Sequence, residues 1–517
     1  MMQGTAMQEG ALLGGGMTAL LCVLVPLAGA LITGAFHHRP NLREAFTLVT
    51  GGILLGLVLQ LLPLVQAGGR PSLTLAEPVP GLPIVLEVEP LGLLFALVAS
   101  SLWIVTSLYS MGYMRGHHER NQTRFYIFFA IAIASAVGVA FAGNLFTLFI
   151  FYEALTLCTF PLVTHHQTEK AKRAGRVYLG ILLTTSIGFQ LLAIVWTYVL
   201  AGTVDFRPGG ILADARLSGP MTTALLALYV FGVGKAAVMP FHRWLPAAMV
   251  APTPVSALLH AVAVVKAGVF SILKIAVYVF GLDALSVGNA AGWLIYPAGF
   301  TVLAASVVAL QIVWRQGNLK RLLAYSTISQ LSYIVLGALV ANGLGIIGGG
   351  MHIAMHAFGK ITLFFAAGSV YVAGNRTEIS QLKGVGRRMP WTMGAFAVAS
   401  LSMIGLPPTG GFFSKWYLML GVWEAEHLLV FAVLVLSTLL NAAYFVPIIH
   451  MAFFQTEEPE PPDRGPGHDG PSPVRPDHGE APWPMVVALT ATAAGTVLLF
   501  FLAGFPLSLL ETLVRGG

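Results

Sequence analysis

Apolar runs of about 20 residues recur from one end of this 517-residue chain to the other. A helix of that length crosses a hydrocarbon core of roughly 30 Å. Backbone polar groups in hydrocarbon must bond internally, which leaves helices as the structure such runs adopt. Fourteen spans are predicted: approximately 11–36, 42–67, 91–113, 124–142, 144–164, 177–201, 219–240, 253–281, 288–313, 321–341, 345–374, 390–421, 427–454 and 482–510. Only 10% of the residues are charged and 56% are hydrophobic; soluble domains are about a quarter charged. The expectation is an all-α polytopic membrane protein, its partner the lipid bilayer. Both cysteines, Cys22 and Cys158, sit inside apolar runs, where packing is their expected role.

Basic residues orient the spans. Nineteen fall in loops after odd-numbered spans and four in loops after even-numbered spans or the tail. By the positive-inside rule the odd loops are predicted cytoplasmic and both termini outside. No basic residue precedes span 1, so a signal peptide is not expected there. The net charge of +6 follows from this loop bias and does not point to nucleic acid. The Asn121-Gln122-Thr123 sequon lies in a basic loop on the predicted cytoplasmic side. The segment 68–90 carries an alternating LPIVLEVE, predicted to form a short outside hairpin.

Five lysines remain inside the spans, Lys235, Lys266, Lys274, Lys360 and Lys415, with one acid, Glu153. A charge at the bilayer centre costs roughly 2.5–3.5 kcal/mol and marks an ion pathway by default. Glu153 in span 5 reads as a proton-exchanging group paired with a lysine; a carboxylate satisfied by a neighbouring helix is the plainer reading. Lys235 lies five residues before Pro240, which removes a helical hydrogen bond and weakens span 7 beside the charge. The segment after it, with Trp244, is expected at the headgroup level. Span 8 holds His260 and Lys266, about 9 Å apart along a regular helix, and Lys274, expected to snorkel outward. Span 10 gathers Ser326, Thr327, Ser329, Gln330, Ser332 and Tyr333, which serve either helix packing or a wetted surface. In span 11 His352, His356 and Lys360 recur every four residues and share one face. A histidine pair suits a proton relay; structural polar contacts and a metal or haem site are the other readings. A zinc site needs further ligands, and no clustered set presents itself, so no metal and no cofactor are expected. Span 12 contains Pro407-Pro408 and Gly410-Gly411, which break a helix, and Lys415 follows.

The run from Lys235 through PFHRWLPAAMVAPTPVSALLHAVAVVKAG, the segment LKRLLAYSTISQLSY (319–333) and HIAMHAFGKITLFF (352–365) together resemble the antiporter-like proton-translocating subunits. That family is shared by respiratory complex I, membrane-bound hydrogenases and multisubunit Na+/H+ antiporters. The resemblance covers roughly residues 90–454. It implies 14 helices with two inverted five-helix repeats and broken helices 7 and 12, a symmetry faintly legible in PFHRW against GFFSKW. By position it makes Glu153 the helix-5 glutamate, Lys235 its helix-7 partner and Lys266 the central helix-8 lysine. His352, His356 and Lys360 become the helix-11 polar row and Lys415 the terminal group, while His260 is expected from its place in span 8, six residues before Lys266, to support the relay. Asn318 stands where an aspartate is common.

The implied organisation is a scaffold of spans 1–3 (1–113), a first repeat (114–281), a second repeat (282–454), a flexible cytoplasmic linker rich in Pro and acids (455–481) and a final helix and tail (482–517). The chain is similar to the D subunit of a multisubunit cation/proton antiporter, and the resemblance implies a subunit moving protons, with Na+ or K+ as the exchanged cation. Two other parents stay open: the pump module of a complex I-like NADH:quinone oxidoreductase or hydrogenase, and an inorganic-carbon uptake complex. Each requires partner membrane subunits in a bacterial or archaeal plasma membrane. No flavin, nicotinamide, Fe–S or haem motif is present, so the chain is not read as a redox catalyst by itself.

Overall fold

A computed structural model of the chain describes residues 2–215, 217–286, 291–456 and 479–515. Most of the segment expected to be a linker, 457–478, lies outside the described residues. Twelve described helices are long and apolar enough to cross a membrane. They are α1 (Met2–Ala35), α2 (Pro40–Gln66), α3 (Pro90–Gly116), α4 (Gln122–Ala140), α5 (Leu145–Val163), α6 (Glu169–Ala201), α8 (Thr253–Phe280), α9 (Gly292–Trp314), α10 (Leu319–Leu339), α11 (Gly343–Gly374), α13 (Leu428–Phe454) and α14 (Trp483–Phe501). The remaining two of the fourteen expected spans are interrupted. They are α7 (Gly219–Gly232), which runs into a broken segment, and the pair α12a (Pro390–Ile404) and α12b (Gly411–Glu424). A short α15 (Gly504–Arg515) follows α14. Between α2 and α3 the anticipated hairpin forms, β1 (Ser72–Val79) antiparallel to β2 (Leu82–Glu87).

Polar residues set the helix starts. Asn144, Thr168, Asn318 and Asn342 each accept a backbone N–H from the first turn of the helix that follows them, satisfying donors that have no partner within the helix. Glu89 does the same for α3, accepting from Leu91 and Gly92. These caps fix where each apolar rod begins.

Burial identifies the centre. The apolar window of α8 is wholly buried, and those of α10 and α11 are 94% buried, against 33% for α2, α6, α13 and α14. A helix hydrophobic all round belongs inside a bundle. Helix α11 packs against α8, α10, α12a, α12b, α14 and α3. Lys266, Lys274 and Lys360 thus ride on two of the three most buried helices, α8 and α11.

Three local features differ from expectation. The break in span 7 begins before Pro240: α7 stops at Gly232 and Gly234–Ala236 forms a 3-10 turn that carries Lys235. Trp244, expected among headgroups, is fully buried and its Nε1–H donates to the Gly234 carbonyl at 3.0 Å. That carbonyl also accepts the Ala237 N–H at 3.0 Å within the 3-10 turn, so the indole is its second donor and ties the turn to the segment that follows. Helix α8 is irregular rather than continuous, with π turns at Leu258–Val262 and Ala276–Phe280, so its side chains do not follow a regular 100° step. Close approach between α8 and the broken segment depends on Gly268, where a Cβ would press into the Ala236 backbone nitrogen.

Candidate functional site

Lys235 projects from its 3-10 turn onto α5. Its Nζ donates to the Tyr152 carbonyl at 2.7 Å and to Thr156 Oγ1 at 2.5 Å, and its backbone N–H donates to the Tyr152 hydroxyl at 3.1 Å. The ammonium also lies over the Tyr152 ring. Tyr152 and Thr156 are four residues apart and share a face of α5, with Glu153 on the adjoining face. Both Glu153 carboxylate oxygens are buried without a hydrogen-bond partner among the described residues. Glu153 and Lys235 are therefore neighbours held out of direct contact: the lysine is bonded one residue away from the carboxylate.

The next groups are in contact. Lys266 Nζ is 2.6 Å from His356 Nδ1. An ammonium only donates, and an imidazole nitrogen accepts only with a free lone pair, so the contact fixes one proton between two basic nitrogens. The His352 and His356 ring centroids are 5.6 Å apart. His352 Nε2 bonds Gln330 Oε1 at 3.0 Å and its Nδ1 bonds Ser414 Oγ at 2.9 Å. The Gln330 oxygen assigns the proton to Nε2 and leaves Nδ1 to accept from the serine. Ser414 immediately precedes Lys415, whose Nζ donates to the Met403 carbonyl at 2.6 Å and the Ile404 carbonyl at 3.2 Å. Those carbonyls end α12a, where the helix break leaves acceptors unused. Tyr333 joins both, its ring stacked on His352 and lying 4.9 Å from Lys415 Nζ.

Two expected members stand to the side. Lys360 Nζ donates to Ser326 Oγ at 2.8 Å, and Tyr444 donates to the same oxygen at 3.1 Å. His260 packs its ring 4.7 Å from Phe364, and neither ring nitrogen has a hydrogen-bond partner among the described residues. Lys235, Lys266, Lys360, His260, His352 and His356 are all fully buried, and Lys415 nearly so.

Lys274 does not snorkel. It is buried and lies 3.4 Å from Glu89, an acid that sequence placed at a span boundary and did not count as interior. Sequence reasoning also missed Tyr152, Thr156 and Ser414 as partners of Lys235 and His352, and Tyr444 as a partner of Ser326. The polar face of span 10 carried a signal for two others: Ser326 and Gln330, four apart, each bond a basic group of α11, Lys360 and His352 respectively. Its other members differ, for Thr327 and Ser332 bond their own helix, and Ser329 packs with Ser306 and Ser437. Among the described residues no three His, Cys, Asp or Glu side chains gather into a metal-holding group.

Comparison with known proteins gives concordant results. The profile of the family described as "NADH:quinone oxidoreductase/Mrp antiporter, TM" matches residues 142–441. The chain is 34% identical over 467 residues to "NADH-quinone oxidoreductase subunit N" of Desulforudis audaxviator, covering 86% of this chain and 90% of that one. It is 32% identical over 399 residues to a component of the probable K(+)/H(+) antiporter of Rhizobium meliloti, covering 76% of this chain and 38% of the relative. Among solved structures, a chain of the Mrp complex from a Dietzia species superposes with a TM-score of 0.83 at 22% identity over 97% of each chain. A chain of an archaeal membrane-bound sulfane sulfur reductase superposes at 0.81, also at 22% identity, over 96% of this chain and 97% of that one.

Proposed function

Since the chain belongs to the NADH:quinone oxidoreductase/Mrp antiporter family of membrane subunits, we propose that it conducts protons for a monovalent cation/proton antiporter through Glu153, Lys235, Lys266, His352, His356 and Lys415. Lys360 and His260 flank that path. The observation that carries the reading is the direct Lys266–His356 contact at 2.6 Å, continued through His352 and Ser414 to the helix break at Lys415. Buried basic groups in mutual contact are costly as structural cement. Proton exchange gives them a use.

The step at the other end is a change of partner. Lys235 rests on Tyr152 and Thr156, and Glu153 waits unpaired beside it. When Lys235 moves to Glu153 the two charges stabilise each other; when it moves back, the lysine regains Tyr152 and Thr156 and Glu153 loses its partner. Interacting ionisable groups titrate as a set, so this motion changes how tightly Lys266 and His356 hold their shared proton. The basic loops are placed on the cytoplasmic side and both termini outside, from the charge bias alone. Residues 114–281 and 282–454 are read as the two inverted repeats.

A second reading, the proton-pumping subunit of a quinone reductase, is favoured by the 34% identity across nearly all of the Desulforudis subunit N. Membrane vesicles containing the native complex separate the two. An antiporter collapses or builds a pH gradient when Na+ or K+ is added without an electron donor. A redox pump responds only to donor and quinone, and that outcome refutes the antiporter reading.

A further inference from the structure

The hairpin-side end of α8 holds an ion pair that the lysine–histidine row does not use. Lys274 Nζ lies 3.4 Å from Glu89 Oε1, with the two side chains 1% and 2% exposed. The ammonium also donates to the Ala142 carbonyl at 2.7 Å. Tyr278 donates to Glu89 Oε2 at 3.1 Å. Arg70 donates in turn to the Tyr278 hydroxyl at 3.4 Å and lies 3.6 Å from Glu87 Oε1. Arg70 and Glu87 are 28% and 21% exposed. One connected set thus runs from a sealed lysine to the surface.

Capping of α3 does not account for it. A cap needs an acceptor, which an uncharged residue supplies, and burying two full charges costs several kcal/mol per ion. Two further observations point outward. A cleft of about 470 Å³ opens on this face, lined in part by Asp205 and Phe206. The Phe206 ring lies 4.9 Å from Lys274 Nζ, so one aromatic ring stands between the cleft and the ammonium. Glu87, at the end of β2, has its carboxyl pushed up by burial and by the charges of Glu89 and Asp205, against the pull of Lys274 and Arg70. A carboxyl raised in this way takes up protons more readily than a free one. Lys274 also lies eight residues beyond Lys266 on α8, about 12 Å along the axis.

We propose that Lys274, Glu89 and Glu87 form a proton-exchange site joining the buried row to the solution on the hairpin face. The Lys274 ammonium gives its proton to the Glu89 carboxylate, leaving an amine and a carboxylic acid. Glu89 passes that proton to the Glu87 carboxylate, and Glu87 releases it to water. The amine then takes the next proton arriving from the row, so charge and proton count are restored. Tyr278 and Arg70 are positioning residues that hold the two carboxylates. The charged groups facing the site are Glu87, Glu89, Asp205, Lys274 and Arg70, with Tyr278 the remaining titratable one.

The inference rests on the proton-conducting reading, and its test separates the two. Proton flux is measured in vesicles carrying the assembled complex while the pH on the hairpin side is varied. Glu89→Gln keeps a cap acceptor and removes the carboxylate; it is expected to lower flux about tenfold or more with assembly intact, a loss of about 1.4 kcal/mol or more in effective barrier terms. Tyr278→Phe and Glu87→Gln are expected to shift the dependence on hairpin-side pH. Lys235→Ala serves as the reference for the row. If it abolishes flux while Glu89→Gln and Glu87→Gln keep wild-type flux and pH profile, the exchange site is refuted and the row stands. If Lys235→Ala keeps full flux, the row itself fails and the exchange site with it. Should Glu89→Gln not assemble, Glu87→Gln decides, because its side chain is partly exposed and caps no helix.

Discussion

Replacing Thr156 with valine probes the resting position of Lys235 with minimal change of shape. The ammonium has two hydrogen-bond acceptors, the Tyr152 carbonyl at 2.7 Å and Thr156 Oγ1 at 2.5 Å. A hydrogen bond to a charged group contributes about 1.5–3 kcal/mol. Losing it biases Lys235 away from Thr156 by roughly 10- to 150-fold. The available alternative is Glu153, whose two oxygens are buried without partners. If conduction requires Lys235 to alternate between these positions, Thr156→Val traps it at Glu153. Proton flux through the assembled complex is then expected to fall about tenfold or more, following the lost hydrogen bond. Thr156→Ser retains the hydroxyl and should retain flux. In a double-mutant cycle Thr156→Val and Glu153→Gln should be strongly non-additive, because both act on one lysine. Wild-type flux in fully assembled Thr156→Val, measured as acidification of vesicles, would refute the two-position account.

Other consequences follow from single contacts. Ser326→Ala removes the side-chain acceptor of Lys360 and is expected to cost about 1–3 kcal/mol in a buried site, seen as a lower melting temperature of the purified complex; Tyr444→Phe, which removes a neutral hydroxyl bonded to Ser326 and Asn441 and leaves the lysine's acceptor in place, should cost less. Gly268→Ala drives a Cβ against the Ala236 nitrogen; α8 must move off the Lys235 turn at about 1–3 kcal/mol, and reduced thermal stability with reduced flux is the expected result. In the basic-side loop after α5, His165 is held down to about 4 by burial, despite the nearby Glu119 carboxylate, which pulls it up. The folded chain therefore binds fewer protons than the unfolded chain as pH drops from about 6.5 to about 4, and stability is lost across that window. His165→Gln should flatten that portion of the pH–melting curve.

The membrane spans were legible because a 20-residue apolar run has one physical outcome in lipid. The row's charged members were legible because Glu153, Lys235, Lys266, Lys360 and Lys415 are expensive where they stand. Their partners were not. Thr156, Ser326 and Ser414 are hydroxyls, and a hydroxyl inside a span serves packing as readily as a lysine. Glu89 sits beside a proline at a span edge, and nothing local marks its pairing with Lys274, which depends on α3 and α8 meeting in space. The start of the span 7 break was misplaced because Pro240 is conspicuous, whereas Gly232 and Gly234 end the helix quietly. Trp244 was read by its usual preference for interfaces and instead is buried as a second donor to the carbonyl of the Lys235 turn.

The claim on which all of this turns is that protons pass through the Lys266–His356 contact. Lys266→Met removes the ammonium and keeps a long apolar side chain in a helix that tolerates one. Proton flux through the assembled complex, reconstituted in lipid vesicles and compared with wild type under the same cation gradient, should fall to the passive leak of the vesicles. Full flux through assembled Lys266→Met would contradict the account.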